Sequence, residues 1–418
     1  MMIARDTLYI SVRYRKRTKA MKPESTAARS SNRTQPELVA TINATSTIAA
    51  AMWMTVIGTL GILFLPLMVS GIIDELGFTE KQAGYIAAAE MAGVAIASGL
   101  GIFWVRRVNW KTIAILSTLV FIGANWVSMG VEQYGSMFVA RFFVGLASGA
   151  LLAIGLACQS DSKNADRIFG YWVACQMTVS SVGYLLLPGV RTTWGVDGFL
   201  LALILLGSTT FASILFLPSR GLDRTSSNEQ RQITLLASMT ALFGALLFFM
   251  AQGGLWAFLE RMGIAANLSL TEIGFALAVS SYFGIAGGLA KSWLAEALGS
   301  MSPFAFVVIG ELIMLLIFSA NPSYAWFAVA VCLLQFCWAM GMASLLGALN
   351  VIDKSGGLVL LLMSTAKVGY SVGPAIMGWL IMTNDYTLVL FTSGLFVVVG
   401  IVITATLISR TAKGQVAS

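Results

Sequence analysis

From about residue 47 to residue 410 the chain is a series of apolar runs of about twenty residues, separated by short stretches of charge, glycine, proline or turn residues. A hydrocarbon layer about 30 Å thick takes roughly 20 apolar residues to cross as a helix. Lipid offers no partner to a free backbone N–H or C=O, so each run must close its hydrogen bonds within itself. The boundaries predict spans near 48–73, 82–104, 112–130, 137–158, 168–189, 198–217, 233–258, 272–295, 303–320, 325–349, 357–382 and 387–409. These runs are too long and too continuous for barrel strands. The reading is an all-α integral membrane protein with twelve transmembrane helices. Composition agrees, with 57% hydrophobic and 11% charged residues and a mean hydropathy of +0.83. No length is left over for a soluble domain.

Charge sets the expected orientation. Residues 1–46 hold nine Lys or Arg against Asp6, Glu24 and Glu37, and are expected to be a basic, disordered cytoplasmic tail. Beside a membrane such a tail reads as orientation and anionic-lipid contact, not nucleic-acid binding. It has no apolar h-region, so the first helix is expected to act as an uncleaved insertion signal. Met21 heads an alternative start, and residues 1–20 are assigned no function. Alternating the loops places 21 Lys and Arg on one side and only Lys81, Arg191 and Arg261 on the other. This predicts cytoplasmic termini. Short loops suggest a bacterial inner membrane and a monomer. The four cysteines lie in or at the ends of apolar runs, where they read as packing residues. Histidine is absent, which removes the commonest proton shuttle and metal ligand. No metal or cofactor is expected.

The polar segment 218–232 is the longest connection after the tail and divides the helices six and six. The expected organisation is bundles over 47–217 and 233–409, a cytoplasmic linker over 218–232 and a cytoplasmic tail over 410–418. The halves echo each other. Val182-Gly183-Tyr184 and Pro188 recur as Val368-Gly369-Tyr370 and Pro374, and Thr79-Glu80 with Gly84-Tyr85 recur as Thr271-Glu272 with Gly274-Phe275 at slightly different spacing. Such echoes on equivalent helices are expected of parallel repeats.

Twelve spans, cytoplasmic termini, a central loop and two similar halves resemble the major facilitator superfamily of secondary transporters. The helix-4 stretch Arg141-Phe142-Phe143-Val144-Gly145-Leu146-Ala147-Ser148-Gly149 is similar to that family's Arg with Gly four and eight residues later. The Gly145/Gly149 spacing admits a second helix closely. The run Gly101-Ile102-Phe103-Trp104-Val105-Arg106-Arg107-Val108-Asn109-Trp110-Lys111 resembles a degraded form of the family loop Gly-x-x-x-Asp-Arg-x-Gly-Arg-Arg. Val105 stands in place of the Asp, while Arg106 and Arg107 remain to anchor the loop. Pro188, Gly373 and Pro374 mark helices 5 and 11 as packing or gating elements. The resemblance implies a transporter rather than an enzyme, with a small-molecule substrate, protons and the lipid bilayer as partners.

Four ionisable residues lie well inside the spans: Glu90, Arg141, Glu311 and Lys367. A central charge costs roughly 2.5–3.5 kcal/mol on insertion scales, so each must face protein or water. Depth at about 1.5 Å per residue places Glu90 and Lys367 near the midplane. The resemblance puts helices 2 and 11 side by side. A Glu90–Lys367 ion pair is therefore expected, either exchanging partners during rocking or merely static. Glu90 is also the favoured proton-carrying residue. Arg141 suits a substrate anion, an internal carboxylate such as Glu90, or a structural pin. Glu311 sits in a helix the resemblance makes peripheral, and reads as a neutral, hydrogen-bonded acid. Gln176, Tyr184, Gln252, Trp256, Gln335 and Asn350 are further candidates to orient a ligand or simply to join helices. Adjacent Glu260 and Arg261 suit either an outer gate or a solvated helix end.

A hydrolase reading of Gly369-Tyr370-Ser371-Val372-Gly373 fails for want of a strand-turn-helix elbow and a histidine base. A retinal-type Schiff base on Lys367 would need a seven-helix architecture. The expected function is alternating-access transport of a small organic solute. A proton-coupled organic anion importer comes first, on account of two intramembrane cations. A proton-driven multidrug or metabolite exporter is the alternative, and a non-transporting receptor the remote one.

Overall fold

The computed structural model describes residues 36–222, 235–352, 357–381 and 385–412, and its regular elements are α-helices. In order they are α1 Pro36–Ile42, α2 Thr45–Ile57, α3 Leu60–Leu63, α4 Leu65–Asp74, α5 Glu80–Gly99, α6 Gly101–Trp104, α7 Trp110–Ser128, α8 Tyr134–Ser160, α9 Ala165–Ser208 and α10 Thr210–Phe216. They continue as α11 Leu235–Ala265, α12 Leu270–Leu298, α13 Ser302–Ser319, α14 Tyr324–Ile352, α15 Gly357–Leu380 and α16 Thr387–Ala412. Among the described residues nine helices are long and apolar enough to cross a membrane, or ten if bent α1–α2 counts as one. The run through α9 and α10 is a single member of that set. Yet the 44 residues of α9 would extend about 66 Å as one straight helix, more than twice a hydrocarbon layer. Gly195, with φ 65° and ψ −166°, divides it.

The apolar run from α2 to α4, read from the sequence as the first crossing, is broken where the sequence dictates. Pro66 has no N–H, so the carbonyl of Ile62, four residues earlier, cannot receive its helical bond. The chain passes through Phe64 at φ −107° and ψ 20° between α3 and α4. Two side chains complete the break. Trp256 Nε1 donates to the Ile62 carbonyl at 2.7 Å, and the Tyr184 hydroxyl donates to the Leu63 carbonyl at 2.5 Å.

Packing sorts the helices. α5 lies along α8, α7 joins α8 and α9, and α2 leans on α8, α9 and α10; α11 lies along α15 and α16, α12 along α14, and α13 bridges α14 and α16. The two groups meet through α5 against α15, α9 against α12 and α4 against α11. The sequence echoes lie at these meetings. A Cβ on Gly84 would sit 2.5 Å from the Pro374 carbonyl oxygen, and one on Gly274 2.8 Å from Pro188 Cγ. Each repeat's glycine thus admits the other repeat's proline-bearing helix.

The helix caps correct the register of that echo. Thr79 caps α5 in a reciprocal pair with Gln82, and Ser269 caps α12 in the same way with Glu272. Thr79, Gln82, Gly84 and Tyr85 therefore match Ser269, Glu272, Gly274 and Phe275 at a constant offset of 190 residues. Thr271 is not the partner of Thr79. The other echo also has a shared packing role: Gly183 faces the Phe64 ring and Gly369 faces Phe249.

α8 crosses α5 so closely that a Cβ on Gly145 would fall 1.9 Å from the Glu90 carbonyl oxygen, and one on Gly149 2.6 Å from that of Val94. Neither backbone can yield cheaply. Gly145→Ala is expected to cost about 1–3 kcal/mol by overpacking and to lower the melting temperature in detergent. Gly123→Ala, which meets open space, should leave it unchanged.

Candidate substrate cavity

Between the two helix groups lies a cavity of about 70 Å³, lined by Ile62, Leu63, Gln176, Met177, Ser180, Gln252, Trp256, Leu334, Gln335, Trp338 and Tyr370. Its walls come from the broken first crossing and from α9, α11, α14 and α15. No lining residue carries a full charge. Ligand sites commonly enclose 300–1,000 Å³, so these walls must part to hold a solute. Four of the polar candidates read from the sequence, Gln176, Gln252, Trp256 and Gln335, meet here. Tyr184 stands just behind, fully buried, with its ring edge-on to Trp256 at 6.1 Å and to Phe64 at 5.4 Å. The side chain of Asn350 lies outside the described residues.

The charged candidates stand behind or away from this wall. Arg141 donates to Glu90 Oε2 from Nε at 3.0 Å and from Nη2 at 2.7 Å, and its Nη1 donates to Asn125 Oδ1 at 2.7 Å. Both ions are 1% exposed. The expected Glu90–Lys367 pair is not formed: Glu90 is held by Arg141, and Lys367 makes no ion pair with any described residue. Depth arithmetic matched Glu90 to Lys367, but the intimate α5–α8 crossing at Gly145 brings Arg141 to it first. Lys367 sits on α15 between the face carrying Ser364 and Ser371 and the face carrying Tyr370. Glu311 is fully buried on α13, and its Oε1 accepts from Gln252 Nε2 at 2.6 Å.

A second ionic cluster closes the interface at the end where the connections near residues 75, 130 and 195 gather. Arg191, 3% exposed, donates to Asp74 at 2.9 Å, to Glu75 at 3.1 Å, and to buried Glu260. Arg261 binds Asp74 as well. Glu75 also accepts from the Val196 amide at 2.6 Å, which fixes the Gly195 break. Residues of α4 and α9 are thereby tied to α11, so Glu260 and Arg261 are held inside the protein and not solvated.

The Major Facilitator Superfamily model matches residues 44–356. This chain belongs to the major facilitator superfamily. A relative, the multidrug resistance protein MdtL of Shewanella sp. (strain ANA-3), is 24% identical over 300 residues, spanning 56% of this chain and 75% of that one. Solved structures share the fold at low identity. A bacterial homologue of the human drug peptide transporters PepT1 and PepT2 has a TM-score of 0.69 at 12% identity, over 90% of this chain and 99% of that one. The nucleoside transporter NupG has a TM-score of 0.63 at 11% identity, over 90% and 99%. A bacterial Spinster homologue in an inward-facing, occupied conformation has 0.63 at 12%, over 88% and 96%.

Within this superfamily chain, the loop that carries Val105 in place of Asp finds its carboxylate elsewhere. Asp161, at the end of α8, accepts from Arg106 Nη2 at 2.9 Å and from the Leu222 amide at 2.9 Å. Arg106 also donates to the Leu222 carbonyl at 2.9 Å. Arg107 is exposed. Pro188 and Pro374 pack against the glycines of the opposite repeat, and Gly373 presses on the α11 backbone at Met250 and Gly254.

Sequence reasoning missed Asn125, Trp338, the shared role of Tyr370 and the Arg191 cluster. Asn125 alone left a trace, as an amide inside an apolar helix. The Glu90–Arg141 pair yields a clear expectation. Arg141→Ala leaves Glu90 buried without its cation and should cost about 3–5 kcal/mol. Glu90→Gln combined with Arg141→Ala removes both charges and should recover a large part of that loss in a detergent thermal melt, giving a strong coupling term.

Proposed function

We propose that this superfamily transporter works by alternating access on a small, uncharged or weakly polar organic solute with an aromatic surface. The observation that carries this reading is the cavity wall: two Trp, one Tyr, three Gln, and no cation or carboxylate. Aromatic faces and apolar side chains supply contact area, and a few amides fix orientation. The anion reading rested on Arg141 and Lys367. Arg141 has its donors engaged by Glu90 and Asn125, and neither cation lines the cavity. The multidrug exporter reading therefore moves ahead of anion import, and the MdtL relative agrees with it.

The same reading takes twelve crossings as two bundles over 47–217 and 233–409, both termini cytoplasmic, in a bacterial inner membrane. The Arg191 cluster then lies on the outer face and holds the outer side shut, so the present state is inward-facing with a contracted cavity. Rocking would exchange the Arg191 contacts for contacts at the inner ends, about the Gly84–Pro374 and Gly274–Pro188 crossings.

A thermal-shift screen of the purified protein tests the substrate class, because a ligand that binds only the folded form raises its apparent stability. Neutral or lipophilic aromatic solutes should raise the melting temperature, and Trp338→Ala should abolish the rise. Stabilisation by small carboxylates, lost in Arg141→Ala, would overturn the reading in favour of anion transport.

A further inference from the structure

Among the described residues, Glu311 is the one buried acid of the second helix group that touches the cavity wall without touching a cation. Glu90 has Arg141 and Glu260 has Arg191, whereas among the described residues Glu311 has no ion-pair partner. Its Oε1 accepts from Gln252, and its Oε2 is buried with no hydrogen-bond partner. Gln252 itself lines the cavity. A single amide thus separates a fully buried carboxyl from the space assigned to the solute.

The elements packed on α13 leave this acid uncompensated. α14 brings Cys337, whose sulfur would meet a Cβ on neighbouring Gly310 at 2.5 Å, and α15 brings Tyr370, which lines the cavity beside Gln252; neither is a cation. Lys367 on α15 forms no ion pair with it, nor do Tyr282, Lys291 or Glu296 of α12 hydrogen-bond to it. α16 presents no charged side chain before Arg410. On α11, Glu260 and Arg261 lie about 12 Å further along the helix from Gln252 and are committed to the Arg191 cluster. A carboxyl in such surroundings is cheaper as the neutral acid than as an unpaired ion.

We propose that Glu311 is the proton-exchanging group coupled to the cavity, with Gln252 as the positioning residue that reports occupancy to it. This rests on the reading that the central cavity holds the solute. A polar atom of the solute recruits the Gln252 amide, and water admitted as the walls part takes the amide's place on Glu311 with more donors than it had, which favours the ionised form. Opening of the walls admits water, the Glu311 O–H breaks heterolytically, and the proton passes to that water. Rebinding of one proton from water restores the acid when the cavity empties. The amide transmits the event and is not itself protonated.

The test needs no knowledge of the natural solute. Infrared difference spectra of the reconstituted full-length protein between about pH 5 and pH 9 should show a protonated-carboxyl C=O band. Glu311→Gln should remove that band and Glu90→Gln should leave it. Gln252→Leu should move its frequency, because the carbonyl oxygen loses its donor, and should also uncouple proton release from probe binding, which loss of a merely structural glutamine would not do. Proton release on addition of acetanilide, a neutral aromatic amide, to weakly buffered protein should fall from about one per bound probe to none in Glu311→Gln. A band and a proton release unchanged in Glu311→Gln would overturn the proposal. If the probe fails to bind wild type, the solute reading fails, and the infrared band still decides the proton site.

Discussion

A charge in hydrocarbon must face protein or water, and a buried guanidinium is held most firmly by a carboxylate, since lipid offers neither hydrogen bonds nor ions. That constraint organises this chain. Arg141 takes Glu90 and Asn125; Arg191 takes Asp74, Glu75 and Glu260; Arg106 takes Asp161 near a helix end. The first of these ties α5 to α8 within one helix group. The second spans the two groups, so it makes a bond that a moving interface has to break. On the alternating-access function we propose, the difference in location gives the first a static role and the second a gating one. What remains for the cavity is a neutral, aromatic and amide-bearing wall, with Arg141 and Arg191 engaged away from it.

The interface between the groups is built from paired sequence features. Gly84 receives Pro374 and Gly274 receives Pro188, so each repeat supplies one glycine and one proline to a common seam. Closeness at these points leaves little freedom to slide. Neutral side-chain hydrogen bonds lie along the same crossings, from Ser371 Oγ to the Ala88 carbonyl at 2.9 Å and from Ser281 Oγ to Ser180 Oγ at 3.2 Å. The broken first crossing adds to this arrangement. Pro66 frees the Ile62 carbonyl, and Trp256 of the other group fills it. A wall residue of the cavity is therefore also a bond across the seam, so occupancy and interface geometry are linked at one indole.

The all-helical class and the multi-pass membrane character were legible because they depend on hydrophobicity and its period, which a single sequence displays, and the family through its local motifs; of the twelve spans read from the sequence, nine or ten stand as candidates among the described residues. The polar candidates Gln176, Gln252, Trp256 and Gln335 were legible because amides and indoles are rare in apolar runs. Pairing was not. Depth along a helix follows from counting residues, but the partner of Glu90 depends on which face of α5 meets which neighbour. The Gly145–Glu90 backbone crossing decides that in favour of Arg141. Glu311 was placed in a peripheral helix, and correctly seen as hydrogen-bonded. Its link to the cavity through Gln252 needs the α11–α13 geometry, which no local pattern encodes. Arg191 and Asp74 looked like loop charges until the chain folded them together.

The central claim is that the Arg191 cluster holds the two helix groups together at one end and so sets the present conformation. Pulsed electron–electron resonance on a cysteine-free background tests it directly. One pair of spin labels at Thr192 and Ala265 spans the clustered end, and a second pair at Asn164 and Ala297 spans the opposite end, all at exposed positions. Arg191→Gln should lengthen the first distance and shorten the second, as the groups rock about the Gly84–Pro374 and Gly274–Pro188 crossings. Distance distributions identical to those of the parent protein at both ends would contradict the account.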